Sequence, residues 1–148
     1  KEAMNLLNQL TEKTYKEFNA IYSNSFILNY VINNNLNRII ENKIDIKTVI
    51  EYNLFDIFDF DTQLSLFEYL LDISINSCLK SDIKNRIIII KSGVYANNIF
   101  LKLTIPDQSI NKNEIENELI QFLNNISYSL SIKTLNCSHV DIAIFIKK

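Results

Sequence analysis

The order of helical and strand patterns along the chain constrains its fold more than any other feature. Apolar residues recur at helical spacing in four segments, at about 2–22, 25–43, 62–80 and 113–127. Strand patterns occupy five segments, at about 44–50, 87–90, 99–105, 129–136 and 140–147. The order α-α-β-α-β-β-α-β-β predicts an α/β (α+β) two-layer sandwich. A five-stranded mixed sheet would carry helices on one face and would be preceded by an N-terminal helix.

Some of these segments carry more detailed signals. The apolar run from Ile87 to Ile90 is unbroken, which is typical of a strand that is covered on both faces. Ser92-Gly93 and Asn97-Asn98 are predicted to bound a hairpin loop, and the next strand returns as its partner. Asp61 is predicted to cap the helix that follows it.

The size and composition of the chain indicate one globular domain with a core of its own. The chain has 148 residues, of which 47% are hydrophobic and 22% are charged, and this balance excludes disorder. Its net charge of −2 provides no general attraction to nucleic acid or to anionic membranes. No apolar run approaches the roughly 20 residues that span a bilayer. We therefore expect no nucleic-acid partner and no direct membrane insertion of this segment. A boundary near residue 23 separates a helix, 1–22, from a domain, 23–148.

Glycine, proline and cysteine are scarce. Gly93 and Pro106 are the only residues of their types in the sequence. Since several glycines are needed to bring backbone close to phosphate, a P-loop and a dinucleotide fingerprint are excluded. The two cysteines, Cys78 and Cys137, have neither metal-ligand nor redox spacing. We expect both to be reduced, with Cys78 packed as a small hydrophobic residue.

Two clusters and one single residue are interpreted as structural. The segment from Phe55 to Asp61 alternates aromatic residues with aspartates and lacks the glycine and distal glutamate of a calcium loop. Lys80, Lys84 and Arg86 are expected to form a solvated face, the alternative being a docking site for an acidic partner. His139, the single histidine, is expected as a satisfied surface residue in the turn between the last two strands, and no catalytic triad is available.

The helix at 62–80 contains the most specific motif, Leu70-Leu71-Asp72-Ile73-Ser74-Ile75-Asn76-Ser77-Cys78. The motif resembles the Asn-bearing ATP-binding helix of sensor histidine kinases, and Asn24 to Ile50 resembles the segment that leads into their first strand. With the element order, the chain resembles the GHKL (histidine kinase-like ATPase) superfamily from about residue 20 to its end. It looks most like the catalytic domain of Agr-type peptide-sensing kinases of Gram-positive bacteria. The resemblance implies a Bergerat-like fold, with residues 1–22 as the end of a dimerisation helix hairpin.

The same resemblance implies that the ATP site is degenerate. In the family, polar residues four apart on this helix position water and the Mg²⁺ that bridges the phosphates. Those positions are Tyr69 and Ile73 here, and isoleucine offers no oxygen to a hard cation. Asp72 is retained but precedes the metal position, so we expect it to point elsewhere. Asn76 stands where the family usually has glutamate, and an amide cannot act as a general base.

The segment after the hairpin also departs from the family pattern, since it lacks glycines and is short. The family carries an Asn or Asp followed by glycines there, which contacts adenine. Asp107 follows Pro106 with no glycine beside it, so it is either a degenerate adenine-binding position or a polar residue that ends a strand. Only about seven residues separate Ile105 from Asn113, too few for the lid that closes over a triphosphate. The resemblance therefore implies no cofactor here, whereas family members bind ATP and Mg²⁺.

These features together predict a non-catalytic regulatory or protein-interaction domain, a pseudokinase in bacterial two-component or quorum-sensing signalling. Its expected protein partner is a sensor kinase or a response regulator, and its N-terminal helix is expected to form a homodimer or dock a partner. The expected location is the cytoplasm, including the cytosolic part of a membrane-bound receptor whose other segments precede Lys1. Two alternatives stay open: a divergent but active histidine kinase domain that binds ATP, and a small-ligand sensor in the vacated nucleotide pocket.

Overall fold

The computed structural model describes residues 23, 25–51, 58–107, 109–135 and 138–147. Its helices within these ranges are α1 (Phe26–Asn34), α2 (Leu36–Glu41), α3 (Phe60–Leu79) and α4 (Lys112–Phe122). Its strands there are β1 (Asp45–Ile50), β2 (Ile87–Tyr95), β3 (Asn98–Pro106), β4 (Tyr128–Thr134) and β5 (His139–Lys147). The predicted helix at 2–22, the first half of the aromatic-aspartate segment and Cys137 lie outside the described residues. None of the described helices combines the length and apolarity needed to cross a membrane.

The five strands form one mixed sheet with the order β1-β2-β3-β5-β4. β1 is parallel to β2, and the other neighbours are antiparallel. The parallel pair follows from the chain path, because α3 connects β1 to β2 and a helical crossover returns the chain in the same direction. The helices pack on one face of the sheet, so the predicted two-layer architecture is confirmed.

The core lies between the sheet and its helices. Alternate residues of the central strands face inward and oppose one another across the ladder, as in the pairs Leu101 with Ile144 and Leu103 with Ile142. These four side chains are at most 2% exposed. From the helical layer, α3 contributes Leu71 and Ile75, which are equally buried. Each such side chain stabilises the fold by roughly 1.5–3 kcal/mol relative to leaving it exposed.

Within the described residues, the apolar run in β2 is buried on one face and partly exposed on the other, so the prediction of two covered faces is wrong. Ile88 and Ile90 are buried against the helices, whereas Ile87 and Ile89 are partly exposed on the outer face. The reason is that a single layer of helices shields one face, and successive strand residues point to opposite faces.

The β2–β3 hairpin is tighter than predicted, because both strands continue to a two-residue loop at Ala96 and Asn97. Gly93 therefore lies inside β2, opposite Phe100, rather than at the start of a loop. A Cβ atom at position 93 would stand 2.9 Å from Cε1 of Phe100, closer than van der Waals contact allows. Glycine is thus needed here for the space that the Phe100 ring occupies, a cross-strand glycine–aromatic pairing.

The helix predicted at 25–43 is interrupted at Asn35, which separates α1 from α2. The Asn35 N–H donates to the Ile32 carbonyl at 3.0 Å, a bond three residues back rather than four. Its side-chain Nδ2 donates to the Val31 carbonyl at 2.9 Å, so the side chain competes for a helix acceptor.

Two side chains differ from their predicted roles. Asp59, not Asp61, caps α3, since its Oδ1 accepts a hydrogen bond from the Thr62 N–H at 2.8 Å. Arg86 is half-buried and structural rather than solvated: its Nη1 donates to the Asn42 carbonyl at 2.8 Å and its Nε to the Ser81 carbonyl at 3.2 Å. It therefore ties the end of α2 to the start of β2.

Candidate functional site

A cleft of about 250 Å³ lies between α3 and the start of α4. The following residues line it: Tyr69, Ile73, Asn76, Ser77, Lys80, Ser109, Ile110, Asn111, Glu114 and Ile115. The α3 contribution follows from helical spacing, because residues three or four apart share a face. The cleft brings together three of the five predicted degenerate positions, Tyr69, Ile73 and Asn76. Asp72 and Asp107 are not among the described residues that line it.

Tyr69 and Ile73 form the apolar wall of the cleft. Both are half-buried and pack against the hydrophobic core. The Tyr69 ring contacts the Phe122 ring of α4 with 5.7 Å between centroids and a tilt of 49°. Burial raises the pKa of the Tyr69 phenol, and the carboxylates of Glu118 and Glu114 raise it further. This side of the cleft is therefore apolar and negatively charged, and Tyr69 stays neutral at physiological pH.

Asp72 and Asn76 belong to the exposed side of α3. The Asn76 Nδ2 donates weakly to Asp72 Oδ2 at 3.4 Å, and the other Asp72 oxygen lies 3.6 Å from Nη1 of Arg38 in α2. Because the Arg38 and Asp72 side chains are about half exposed, solvent screens their attraction. The Asp72 carboxylate thus faces α2 rather than the cleft, while Asn76 reaches the rim.

Ser77 joins the cleft to the end of β3. Its buried Oγ donates a hydrogen bond to the Pro106 carbonyl. Directly after Pro106, the Asp107 N–H donates to the Ser138 carbonyl at 3.0 Å, which continues the pairing toward β5. Asp107 is half-exposed at this strand end. Sequence reasoning missed Ser77, although its position four residues after Ile73 was a signal that it shares the same face.

The start of α4 forms the polar wall. Asn111 caps the helix by accepting from the N–H groups of Asn113 at 2.9 Å and Glu114 at 3.4 Å. Ser109 has a positive φ of 57°, an unusual conformation for a residue other than glycine. Only five residues, 107–111, connect β3 to α4. The sequence patterns did not assign this wall to a site, because its residues meet α3 only through tertiary packing.

Two titratable groups outside the cleft, Cys78 and His139, are buried or half-buried in the fold. Burial raises the pKa of the Cys78 thiol to about 12, with Arg86 opposing the shift, so the thiol stays protonated and its predicted packing role is confirmed. His139 opens β5 and is half-buried: Nδ1 and the Ser138 Oγ are 2.8 Å apart, while no group among the described residues hydrogen-bonds to the buried Nε2. His139 therefore begins a strand instead of lying in the predicted turn, and within the described residues only one of its ring nitrogens is paired. Within the described ranges, no three His, Cys, Asp or Glu side chains are grouped to hold a metal.

Comparison with known proteins points to one fold. Neither a protein-family model nor a curated protein sequence matches the chain. Among solved structures, the nucleotide-free catalytic domain of histidine kinase ThkA is similar, with a TM-score of 0.62, 11% identity, and coverage of 82% of this chain and 90% of that one.

Two further histidine kinases extend this likeness. AdeS of Acinetobacter baumannii gives a TM-score of 0.64 at 13% identity, covering 97% of this chain and 82% of its own. The histidine kinase domain of the E. coli osmosensor EnvZ gives 0.51 at 12% identity, covering 82% and 83% respectively. At such low identity the likeness is one of fold. The chain therefore has the fold of the histidine kinase catalytic domain.

Proposed function

We propose that this domain is a non-catalytic regulatory or protein-interaction domain, derived from the ATPase domain of a sensor histidine kinase. The shared fold supports the derivation. The observation that carries the loss of catalysis is Ile73, whose aliphatic side chain lines the cleft and packs against the core. At the position where the resembled family places a polar residue for Mg²⁺, this chain offers no oxygen ligand.

The size of the cleft supports the same proposal. Its volume of about 250 Å³ is below the range of roughly 300–1,000 Å³ that is typical of ligand pockets. The contact between Tyr69 and Phe122 holds α4 against α3. A short connection of five residues precedes α4, so this part of the chain has no length to spare for a lid.

The charge of the cleft points in the same direction. Glu114 and Glu118 lie close enough to Tyr69 to raise its pKa, so their negative charge would repel a triphosphate. Among the described lining residues, Lys80 carries the only positive charge, and it is exposed to solvent. A nucleotide bound in this cleft would gain little electrostatic stabilisation from the protein.

The proposed setting is bacterial two-component or quorum-sensing signalling of the Agr type, in the cytoplasm of a Gram-positive organism. The proposed partner is a sensor kinase or a response regulator. The domain would act on it by direct protein contact, without a bound nucleotide. This assignment is supported by the fold and by the motif from Leu70 to Cys78.

Titration calorimetry with ATP and ADP, each with and without Mg²⁺, tests the proposal. We expect no binding up to millimolar nucleotide. A micromolar Kd for Mg-ATP that is weakened by Lys80→Ala would overturn it, because Lys80 borders the cleft. Lys84→Ala is the matched control, since Lys84 is exposed and is not among the residues that line the cleft. Binding that neither substitution alters would also contradict the proposal and would place the nucleotide elsewhere.

The two alternatives have their own tests. An active kinase would transfer labelled phosphate from ATP to the full-length protein or to its partner. A ligand sensor would use the apolar wall of the cleft, formed by Tyr69, Ile73, Ile110 and Ile115. At about 250 Å³, that space fits only a ligand much smaller than a nucleotide. Thermal shifts with small apolar compounds, compared between the wild type and Ile73→Ala, would reveal such binding.

A further inference from the structure

The two edges of the sheet differ in character. β1 and β4 are its outer strands, and β1 carries the exposed charges of Asp45 and Lys47. β4 belongs to a segment, from Ile126 to Ile132, in which apolar residues alternate strictly with serine and which contains no charge, proline or glycine. Edge strands offer unpaired backbone groups, and charged side chains or proline are the usual protection against pairing with another chain. The β1 edge is therefore protected, whereas the β4 edge is open to pairing as far as Lys133.

The apolar core extends to β4 and is only partly covered there. The β4 side chains that face the helical layer are Tyr128, Leu130 and Ile132, and each is paired with an isoleucine of β5 that is at most 2% exposed. The three β4 side chains pack against the same core but are only half-buried. Within the described residues, no strand pairs with the outer side of β4. A further strand at this edge would complete their burial.

α4 adds apolar surface on the same side. Burial raises the pKa of the Tyr128 phenol, and the Glu116 carboxylate of α4 raises it further, so this part of α4 lies close to β4. Ile120 follows Glu116 by four residues, shares its helix face and is 54% exposed. The exposed apolar surface therefore includes both a strand edge and a helix, and contiguous surface of this kind marks an interaction site.

We propose that β4 pairs antiparallel with β4 of a second copy of the chain, so that a two-fold dimer joins the two sheets. In a register centred on Leu130, Tyr128 faces the partner's Ile132, and Ser129 faces the partner's Ser131. Apolar residues then meet apolar residues on one face and serines meet serines on the other. Lys133 falls opposite the partner's Ser127, so no like charges are brought together.

The self-complementary sequence of β4 favours a second copy over an unrelated strand. A partner at this edge must supply the same alternation of apolar and small polar residues, and β4 reads as that alternation in both directions. A two-fold contact between identical surfaces also closes, since it uses the open edge of each copy and leaves the charged β1 edges outside. None of the described residues at this contact lines the cleft, so the proposal holds whether or not the cleft binds ATP.

Sedimentation of the 148-residue chain tests the proposal. We expect a monomer–dimer equilibrium at tens of micromolar protein, as is usual for small interfaces. Ser129→Lys/Ser131→Lys would place lysines opposite each other in two pairs across the contact, which should raise the dissociation constant about tenfold. Both serines are exposed on the outer face, so the monomer should accept the substitutions. Asp45→Asn/Val49→Lys is the matched control, because it changes the net charge equally at the exposed β1 edge.

Amide hydrogen exchange provides a local readout. In the wild type, protection of β4 amides should rise with protein concentration, because amides at the outer edge become hydrogen-bonded in the dimer. The lysine double variant should lose this dependence, while the amides of the central strand β3 stay equally protected and show that the variant is folded.

Three results would overturn the proposal. The first is a wild type that stays monomeric up to millimolar protein. The second is a dimer that the lysine double variant leaves intact, or β4 exchange that does not depend on concentration, since the contact would then lie on another surface. The third is equal weakening by the control variant, which would show that net charge rather than the β4 edge governs association.

Discussion

At the scale of single residues, Ala96 holds an unfavourable backbone conformation in the hairpin loop. Its φ is 53°, while Asn97, the other loop residue, is not among the residues with positive φ. A two-residue hairpin of this kind favours glycine at its first position, since an L-side chain there costs roughly 1 kcal/mol. We expect Ala96→Gly to stabilise the protein by roughly 0.5–1 kcal/mol, a rise in Tm of about 2–3 °C by calorimetry.

The neighbouring residue provides the control. Asn97→Gly relieves no strain and increases the freedom of the unfolded chain, so it should be neutral or slightly destabilising. If both variants lowered Tm equally, the positive φ at Ala96 would carry no energetic cost. Nothing in the order of residues marks this strain, because alanine is a common residue and only the strand register places it at the turn.

At the scale of elements, the cap of α3 gives a pH-dependent contribution. Hydrogen bonds from the Thr62 side chain and backbone N–H lower the pKa of the Asp59 carboxyl from its ordinary 3.8. Because the folded-state pKa is the lower one, the stabilisation is present above the unfolded pKa and is lost as pH falls through the folded value. We expect Asp59→Ala to lower Tm by roughly 2–4 °C at pH 7 and by less near pH 2.

Thermal melts of Asp59→Ala and Asp61→Ala across this pH range distinguish the cap from general helix charge. Asp61 lies in the first turn, where a negative charge interacts favourably with the helix dipole, but it is not the capping residue. Its removal should therefore cost less than removal of Asp59. Equal losses at every pH would contradict a specific cap at Asp59.

The elements themselves were largely predictable, because a buried face imposes its period on the sequence. The alternation in β1 and the long apolar face of α3 identified both elements. Two of these predictions failed, one for a local reason and one for a tertiary reason. The break at Asn35 depends on a side-chain hydrogen bond that competes with the helix, and the single covered face of β2 depends on how many layers pack. The spacing of apolar residues predicts neither the helix break nor the number of covered faces.

At the scale of the whole molecule, the cleft was only partly predictable. Resemblance and helical spacing placed Tyr69, Ile73 and Asn76 on one wall. The opposite wall, from Ser109 to Ile115, is brought there by the topology of the sheet and by α4 packing on α3, which no local pattern encodes. The exposure of Phe26, Tyr30 and Phe60 could likewise not be predicted, since apolar residues at helical spacing look the same whether they face a core or solvent.

One buried hydrogen bond connects the two layers at this cleft, from Ser77 in α3 to the Pro106 carbonyl at the end of β3. Ser77→Ala removes the donor and leaves a buried carbonyl without it, which costs about 1–3 kcal/mol. We expect urea denaturation to show this loss with an unchanged m-value.

Ser74→Ala is the matched control on the same helix. The Ser74 Oγ donates at 2.6 Å to the Leu70 carbonyl, which already accepts a backbone bond within α3, so its removal should cost less. Amide exchange at Asp107 distinguishes the two positions further, because loosening the end of β3 should weaken its bond to Ser138 only in Ser77→Ala. Equal stability and equal Asp107 exchange in both variants would mean that packing alone joins helix layer and sheet at the cleft.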